Sequence, residues 1–365
     1  MATATTTATI DSRSATATAT AKQAAPEKEQ RPQLPPRSKR WWPVSNPRPT
    51  QAIFDLVLLG AFIAWQRSST AHNFYSSLAA RYSVFDINAY GAFGITTLVY
   101  WAVAGLFAIV DLTHWPDIVF RYKVQPFEKV TIKEYAKIAK VAAKNQLFVV
   151  GPLLAGQAYL APYPVEASAV PGSWATLGYI AASIAAIEVG FYYVHKTMHN
   201  PRLYARYHKQ HHEFTAPVGL AATYCGVVEH LTSNLAPNAI AMALLRPHWS
   251  VATFTFCFLE ISTVCAHSGY NLPWARSSLR HDYHHFKFDV NYGPIGVLDA
   301  IHRTDTSYRA ALSDALARAK GDAGRARSEL LSRLAAWENG AREDEPAATK
   351  KVGPVGRGDS GSDSD

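Results

Sequence analysis

Long apolar segments alternate with charged ones through the middle of the chain. Residues 89–110 contain 22 positions without a charge, and residues 174–194 contain 21 positions with Glu188 as their single charged residue. Each segment reaches the ~20 residues that a helix needs to cross a bilayer. The hydropathy pattern therefore predicts two transmembrane spans.

Four further apolar segments are weaker candidates because Pro, Gly or an acidic residue interrupts them or because they are short. Core helices of a globular protein remain the alternative for these four. Residues 147–194 and 227–266 are expected to form two hairpins with uncharged connections. Non-helical backbone cannot face lipid, so the broken hairpins should pack inside a helical bundle. The weaker segments are residues 147–164, 227–245, 249–266 and 52–65.

Basic residues indicate how these segments are oriented. One basic group, at residues 37–40, precedes the first apolar segment, and a second, at residues 121–144, fills the stretch after 89–110, which is expected to be a loop. By the positive-inside rule both regions face the cytosol. This orientation predicts a multi-pass protein of the endoplasmic reticulum membrane with both termini cytosolic.

Composition divides the chain into four expected parts. Residues 1–48 form a Thr/Ala-rich and charged leader, and residues 307–365 form a helix followed by a disordered tail. Between them, 49–170 carry N-terminal membrane helices with the basic loop, and 171–306 carry the chemistry. These polar ends bring the mean hydropathy of the whole chain close to zero.

The same features argue against several classes of protein. The net charge of +8 comes from Lys and Arg that flank apolar segments, so a nucleic-acid partner is not expected. Cys225, Cys257 and Cys265 form no CxxC pair, which argues against a disulfide framework or a thiolate zinc site. No GxGxxG motif opens a βα unit, so reducing equivalents should come from a partner protein.

Histidines form three spaced clusters, HxxxH, HxxHH and HxxHH. Residues three or four apart share one face of a helix, so each cluster can direct two or three imidazoles to one point. Three converging clusters provide enough ligands for two metal ions, and imidazole suits zinc, copper, iron or nickel. The eight histidines are His195, His199, His208, His211, His212, His281, His284 and His285.

These boxes resemble the fatty acid hydroxylase superfamily of membrane sterol desaturases and hydroxylases. The resemblance covers roughly residues 179–306 and is strongest to C-4 methylsterol monooxygenases and fatty acid hydroxylase domain-containing proteins. It implies two iron ions, although zinc can occupy such a site on purification. It also implies dioxygen as oxidant and NAD(P)H electrons passed through a reductase and a b-type cytochrome. The segments that carry it are HKQHHEFTAPVGL (208–220), HSGYNLPW (267–274) and HDYHHFKFDVNYGPIGVLD (281–299).

The eight box histidines match the family's metal ligands, and His267 matches a ninth. The chain departs from the family pattern at two positions, Asn271 and Gly226, where many relatives have histidine. We expect Asn271 to lie one turn from His267 and to face the same iron.

Carboxylates near the boxes are candidates to support the ligands from behind, because metal-bound imidazoles usually donate their second N–H to an acceptor. Glu188 and Glu260 each lie seven residues before a predicted ligand, and Glu229 and Asp282 lie within or beside the boxes. For Glu188, Glu229 and Glu260, a packing role is the alternative.

The sequence therefore predicts an all-α, polytopic membrane helical bundle with a histidine-rich di-metal site at its cytosolic face. The expected function is iron-dependent hydroxylation of a lipid, with the C-4 methyl group of a sterol favoured by the HEFTAP segment. Hydroxylation of a sphingoid base or fatty acyl chain is the alternative within enzymes. A non-catalytic, zinc-binding membrane protein is the alternative outside them.

Overall fold

The computed structural model of the protein describes residues 49–126 and 129–318. These residues form helices and loops, with one isolated bridge between Lys123 and Tyr270 and no strand among them. The predicted all-α class is confirmed. The predicted leader, 1–48, and the end of the predicted tail, 319–365, lie outside the described residues.

Eleven helices of six or more residues carry the described part of the chain, together with the short helix Asp117–Phe120, and three of the eleven contain a π-helical turn. The π turns are Ile87–Gly91 in α3, Gln146–Val150 in α4 and His230–Leu235 in α7. The helices are α1 Ile53–Gln66, α2 Ser69–Arg81, α3 Val84–Thr113, α4 Ile132–Leu160, α5 Ser173–Met198, α6 Pro201–Tyr207, α7 227–245, α8 Trp249–His267, α9 Leu279–Lys287, α10 Val297–His302 and α11 Thr306–Arg318.

Four of these helices, α3, α4, α5 and α8, are long and apolar enough to cross a membrane. The two spans predicted as strongest fall within α3 and α5, and the predicted 249–266 falls within α8. Large apolar side chains such as Leu98 and Phe148 are about three-quarters exposed, at 70% and 74%. Apolar surface of this kind is suited to contact with lipid.

The prediction of a basic loop was wrong for residues 132–145, which form the first half of α4. Thr131 and Glu134 begin this helix with a capping box. Tyr135, Ile138 and Ala142 are buried on one face, whereas the lysines lie on the other. The lysines lowered the average hydropathy of the segment and concealed its helical periodicity.

Close helix packing forms the bundle around the histidine-bearing segments. Helix α5 packs along the second half of α7, where a Cβ on Gly190 would lie 2.6 Å from Pro237. Glycine is therefore required at this crossing. Helix α8 packs along α3, and Tyr100 and Val264 lie in the main buried apolar cluster. The three cysteines are buried and free, as predicted.

A buried polar network joins α3, α4 and the segment after α8. The Asp111 carboxylate accepts hydrogen bonds from Lys123 Nζ at 2.6 Å, Tyr135 Oη at 2.6 Å and Tyr270 Oη at 2.7 Å. Lys123 also donates to the carbonyl of Ser268, the residue after His267. The network thus fixes the chain immediately after the predicted ligand His267.

We expect Asp111→Ala to lower the free energy of unfolding by about 3–5 kcal/mol, because it leaves the buried Lys123 without its counter-charge. Asp314→Ala is the matched control, since the Asp314–Arg318 pair is nearly half exposed and should contribute about 0–1 kcal/mol. Thermal and denaturant unfolding of the detergent-solubilised protein would measure both. Equal losses for the two variants would contradict the structural role of the network.

Candidate metal centre

The predicted ligands come from four parts of the fold. His195 lies at the end of α5 and His199 directly follows it, so the two share one face. His267 is the last residue of α8. His208 follows α6, the adjacent short 3-10 turn carries His211 and His212, and α9 carries His281, His284 and His285.

All nine predicted histidines converge, and they do so in two groups. Within each group the potential ligand atoms lie within 4.8 Å of one another. Neighbouring Nε2 atoms are about 3 Å apart, for example 3.0 Å between His195 and His208 and 2.8 Å between His281 and His267. Group one is His195, His199, His208, His212 and His284, and group two is His211, His267, His281 and His285.

Backbone carbonyls set the tautomer of four of these imidazoles. In each case Nδ1–H donates to a carbonyl oxygen at 2.6–3.0 Å, which leaves the lone pair of Nε2 pointing into its group. The pairs are His195 with Tyr292, His267 with Thr263, His284 with Val290 and His285 with Phe214.

Glu229 lies behind both groups at once. Its Oε1 atom is 2.9 Å from Nδ1 of His208 in group one and 3.9 Å from Nδ1 of His211 in group two. The carboxylate is 4% exposed, so these imidazoles are its immediate surroundings. The structure thus places Glu229 where a supporting carboxylate was predicted.

Burial keeps the imidazoles in the form that binds metal. Burial, reinforced by neighbouring imidazoles, lowers the pKa of His199 to about 2. The same causes hold the pKa of His208, His212 and His281 well below 6.5. Neutral imidazoles then direct Nε2 lone pairs at one another across about 3 Å, an arrangement that a bound cation relieves. The donor set therefore fits two metal ions with nitrogen ligands.

Asp299 is an important residue that the sequence analysis missed. It accepts hydrogen bonds from the N–H groups of Tyr292 and Gly293, at 2.8 and 2.7 Å, and forms a buried ion pair with Arg280. These contacts hold the loop whose Tyr292 carbonyl faces His195. No spacing in the sequence identified it, because two of its partners are backbone N–H groups and Arg280 lies on a different helix.

Glu188 does not contact a histidine, and the prediction of direct support was wrong. Its carboxylate accepts hydrogen bonds from the N–H groups of Ile295 and Leu298, both at 2.9 Å. It therefore has the packing role that was the alternative, and it anchors the same loop as Asp299.

Glu260 is likewise not behind His267, whose Nδ1 is already bonded to the Thr263 carbonyl of its own helix. Asp282 is also placed differently from the prediction, because it accepts a hydrogen bond from Ser278 Oγ at 2.5 Å, at the start of α9.

The predicted position of Asn271 on a continuation of α8 was also wrong. Helix α8 ends at His267, and the chain turns at Gly269, which has a φ of 75°. Asn271 consequently does not lie one helical turn further along, and its Oδ1 accepts a hydrogen bond from Gln51 Nε2 at 3.0 Å. Group two has four histidines without it.

A cavity of about 430 Å³ reaches the second histidine group. Its walls come from α3, α4, α5, α7, α8, α9 and the loop before α10, and they include His267 and His281. Its lining includes apolar side chains such as those of Ile184, Phe191 and Leu259. The start of α1 also borders the cavity, at the ion pair in which Asp55 and Arg276 lie 2.9 Å apart. The shape and lining suit an amphipathic lipid.

Comparison with known proteins agrees with this site. The fatty acid hydroxylase family model matches residues 180–304. "Fatty acid hydroxylase ahd1" of Mycosarcoma maydis is 37% identical over 272 residues, which cover 70% of each chain. "Fatty acid hydroxylase domain-containing protein 2" of Homo sapiens is 34% identical over 230 residues, 60% of this chain and 67% of that protein.

"Methylsterol monooxygenase 1" of Rattus norvegicus is 27% identical over 246 residues, 63% of this chain and 81% of that protein. No solved structure matches the chain significantly. The family match spans every metal-facing histidine from His195 to His285. Together with the 37% identity over most of its length, this shows that the chain belongs to the fatty acid hydroxylase family.

Proposed function

We propose that the chain is a membrane di-iron monooxygenase that hydroxylates the C-4 methyl group of a sterol. The observation that carries the proposal is the convergence of nine histidines, in two groups, beside a cavity between membrane-spanning helices. The methylsterol monooxygenases among its relatives support the sterol. The 37% identity to a protein named fatty acid hydroxylase makes an acyl chain the second candidate substrate.

The metal pair would supply dioxygen activation, which no side chain can provide. The nine histidines would hold it, with Nδ1 atoms fixed by carbonyls and by Glu229 so that Nε2 lone pairs stay aligned. The apolar wall formed by Ile184, Phe191 and Leu259 would orient the lipid and exclude water from the reacting carbon. Electrons would come from a b-type cytochrome and its reductase.

Metal analysis and turnover on the same purified sample test this proposal. With a reductase and a b-type cytochrome, the protein should hold about two irons per chain and consume dioxygen when a 4-methylsterol is added. Sphingoid bases and fatty acyl substrates are tested in parallel. Turnover of these lipids without turnover of the sterol would show that one of them is the substrate. Tightly held zinc without turnover of any lipid would contradict the assignment of the protein as an enzyme.

We also propose an endoplasmic reticulum location with the histidine groups facing the cytosol. The basic residues on the exposed face of α4 support this orientation. A glycosylation tag inserted after Asn200, directly behind α5, should stay unmodified in microsomes. A tag in the 161–172 connection, at the opposite end of α5, should be modified and serves as the positive control. The reverse result would place the histidine groups in the lumen.

A further inference from the structure

Glu260 is a carboxylate on the membrane-spanning α8, and it lines the cavity. Its Oε2 atom is buried and has no hydrogen bond among the described residues, and the residue lines the cavity wall. Acidic side chains within membrane spans usually face a cavity, and they pair with other groups or mark a functional path. The Glu260 carboxylate therefore needs a donor that the described part of the protein does not supply.

His230 lies on a different wall of the same cavity, in the π turn of α7. Its Nδ1 atom is 3.2 Å from the amide nitrogen of Asn234, so Nδ1 accepts and Nε2 carries the hydrogen. The buried Nε2 has no partner among the described residues. The unpaired buried polar atoms of the cavity wall thus include an acceptor on Glu260 and a donor on His230, the pair that a hydroxyl group satisfies by itself.

Glu260 lies on the same helix as the predicted ligand His267, and this position indicates which hydroxyl of a lipid substrate it could bind. The His267 ring folds back along α8, so that Nδ1 bonds the carbonyl of Thr263 at 2.8 Å. Glu260 precedes Thr263 by three residues, a rise of about 4.5 Å along the helix. Glu260 and His267 both line the cavity, so a lipid whose hydroxyl bonds Glu260 can present a neighbouring carbon to group two.

We propose that Glu260 and His230 bind the substrate hydroxyl that neighbours the reacting carbon. The inference rests on the proposed function, under which this group is the 3-hydroxyl of the sterol, on the carbon next to C-4. Glu260 accepts its hydrogen and His230 donates to its oxygen. The two contacts fix the sterol ring so that a C-4 methyl group faces the histidines. An acyl chain that has no hydroxyl next to the reacting carbon leaves the Glu260 carboxylate and the His230 Nε2–H unpaired and binds less tightly.

Binding of 4,4-dimethylcholesterol and of its 3-deoxy analogue to the purified full-length protein tests this inference. We expect the wild type to bind the 3-hydroxy sterol about 10-fold to 100-fold more tightly, because the analogue leaves buried polar groups unpaired. Glu260→Leu should reduce that ratio to about 3-fold or less. His230→Leu should lower it as well. Neither measurement depends on turnover.

Two variants separate recognition from structure. Glu260→Gln retains a hydrogen-bonding group and should keep most of the discrimination. Ile261→Leu changes the next residue of α8, which does not line the cavity, and should keep all of it. Thermal unfolding without sterol should show that Glu260→Leu is folded, since it removes an unpaired buried group. If the wild type binds both sterols equally, the Glu260 and His230 assignment is wrong while sterol binding stands. If it binds neither, the sterol substrate and this assignment fail together.

Discussion

Replacing His208 or His284 with alanine should abolish hydroxylation while leaving the protein folded. Both residues belong to group one, and each Nε2 lies 3.0–3.2 Å from Nε2 of His212. Losing one imidazole opens a coordination position and weakens the hold on the metal. A bound metal contributes several kcal/mol to the transition state, so activity should fall by at least about 1000-fold.

Lipid turnover, metal content and thermal unfolding measured on the same preparations would check this expectation. His302→Ala is the matched control, because His302 bonds the hydroxyl of Tyr193 at 3.0 Å and lies outside both groups. His281→Ala extends the experiment to group two. Near-normal turnover in His208→Ala or His284→Ala would show that the ligand assignment for that box is wrong.

The histidine site was predictable because its pattern is local. Ligands three or four residues apart on a helix share a face, so spacing alone brought His195 and His199, or His281 and His285, into the prediction. The assignment of individual histidines to two groups was not predictable. Adjacent residues His211 and His212 enter different groups, since the short 3-10 turn directs their rings apart.

The supporting residues were predicted less well because their partners are distant in sequence. Extending α8 beyond His267 gave the wrong position for Asn271, since the helix ends there and the chain turns at Gly269. Spacing of seven residues put Glu188 on the correct face, but backbone N–H groups of the loop at 295–298 are its partners. Carbonyl acceptors such as that of Tyr292 carry no sequence signal.

Glu229→Ala should weaken metal binding at both histidine groups. The carboxylate lies 2.9 Å from Nδ1 of His208 and 3.9 Å from Nδ1 of His211, one imidazole of each group. Its removal takes the neighbouring carboxylate away from both Nδ1 atoms, which are buried and have no hydrogen-bond partner among the described residues. Loss of such a support typically lowers metal affinity by about 10-fold to 100-fold. Glu229→Gln retains a carbonyl oxygen at the same place and should have a smaller effect.

Dialysis against a graded chelator, followed by metal analysis and turnover, would measure this loss. Glu166→Ala, which removes an exposed carboxylate before α5, is the control for a general effect of charge. If Glu229→Ala retains metal as tightly as the wild type, Glu229 serves packing and the imidazoles are aligned by other contacts.

Glu229 lies closer to Nδ1 of His208 in group one than to Nδ1 of His211 in group two, so the two groups should respond differently to its loss. Group one should release its metal first, so an intermediate chelator concentration should leave about one ion per chain, and His281→Ala combined with Glu229→Ala should then remove that ion as well.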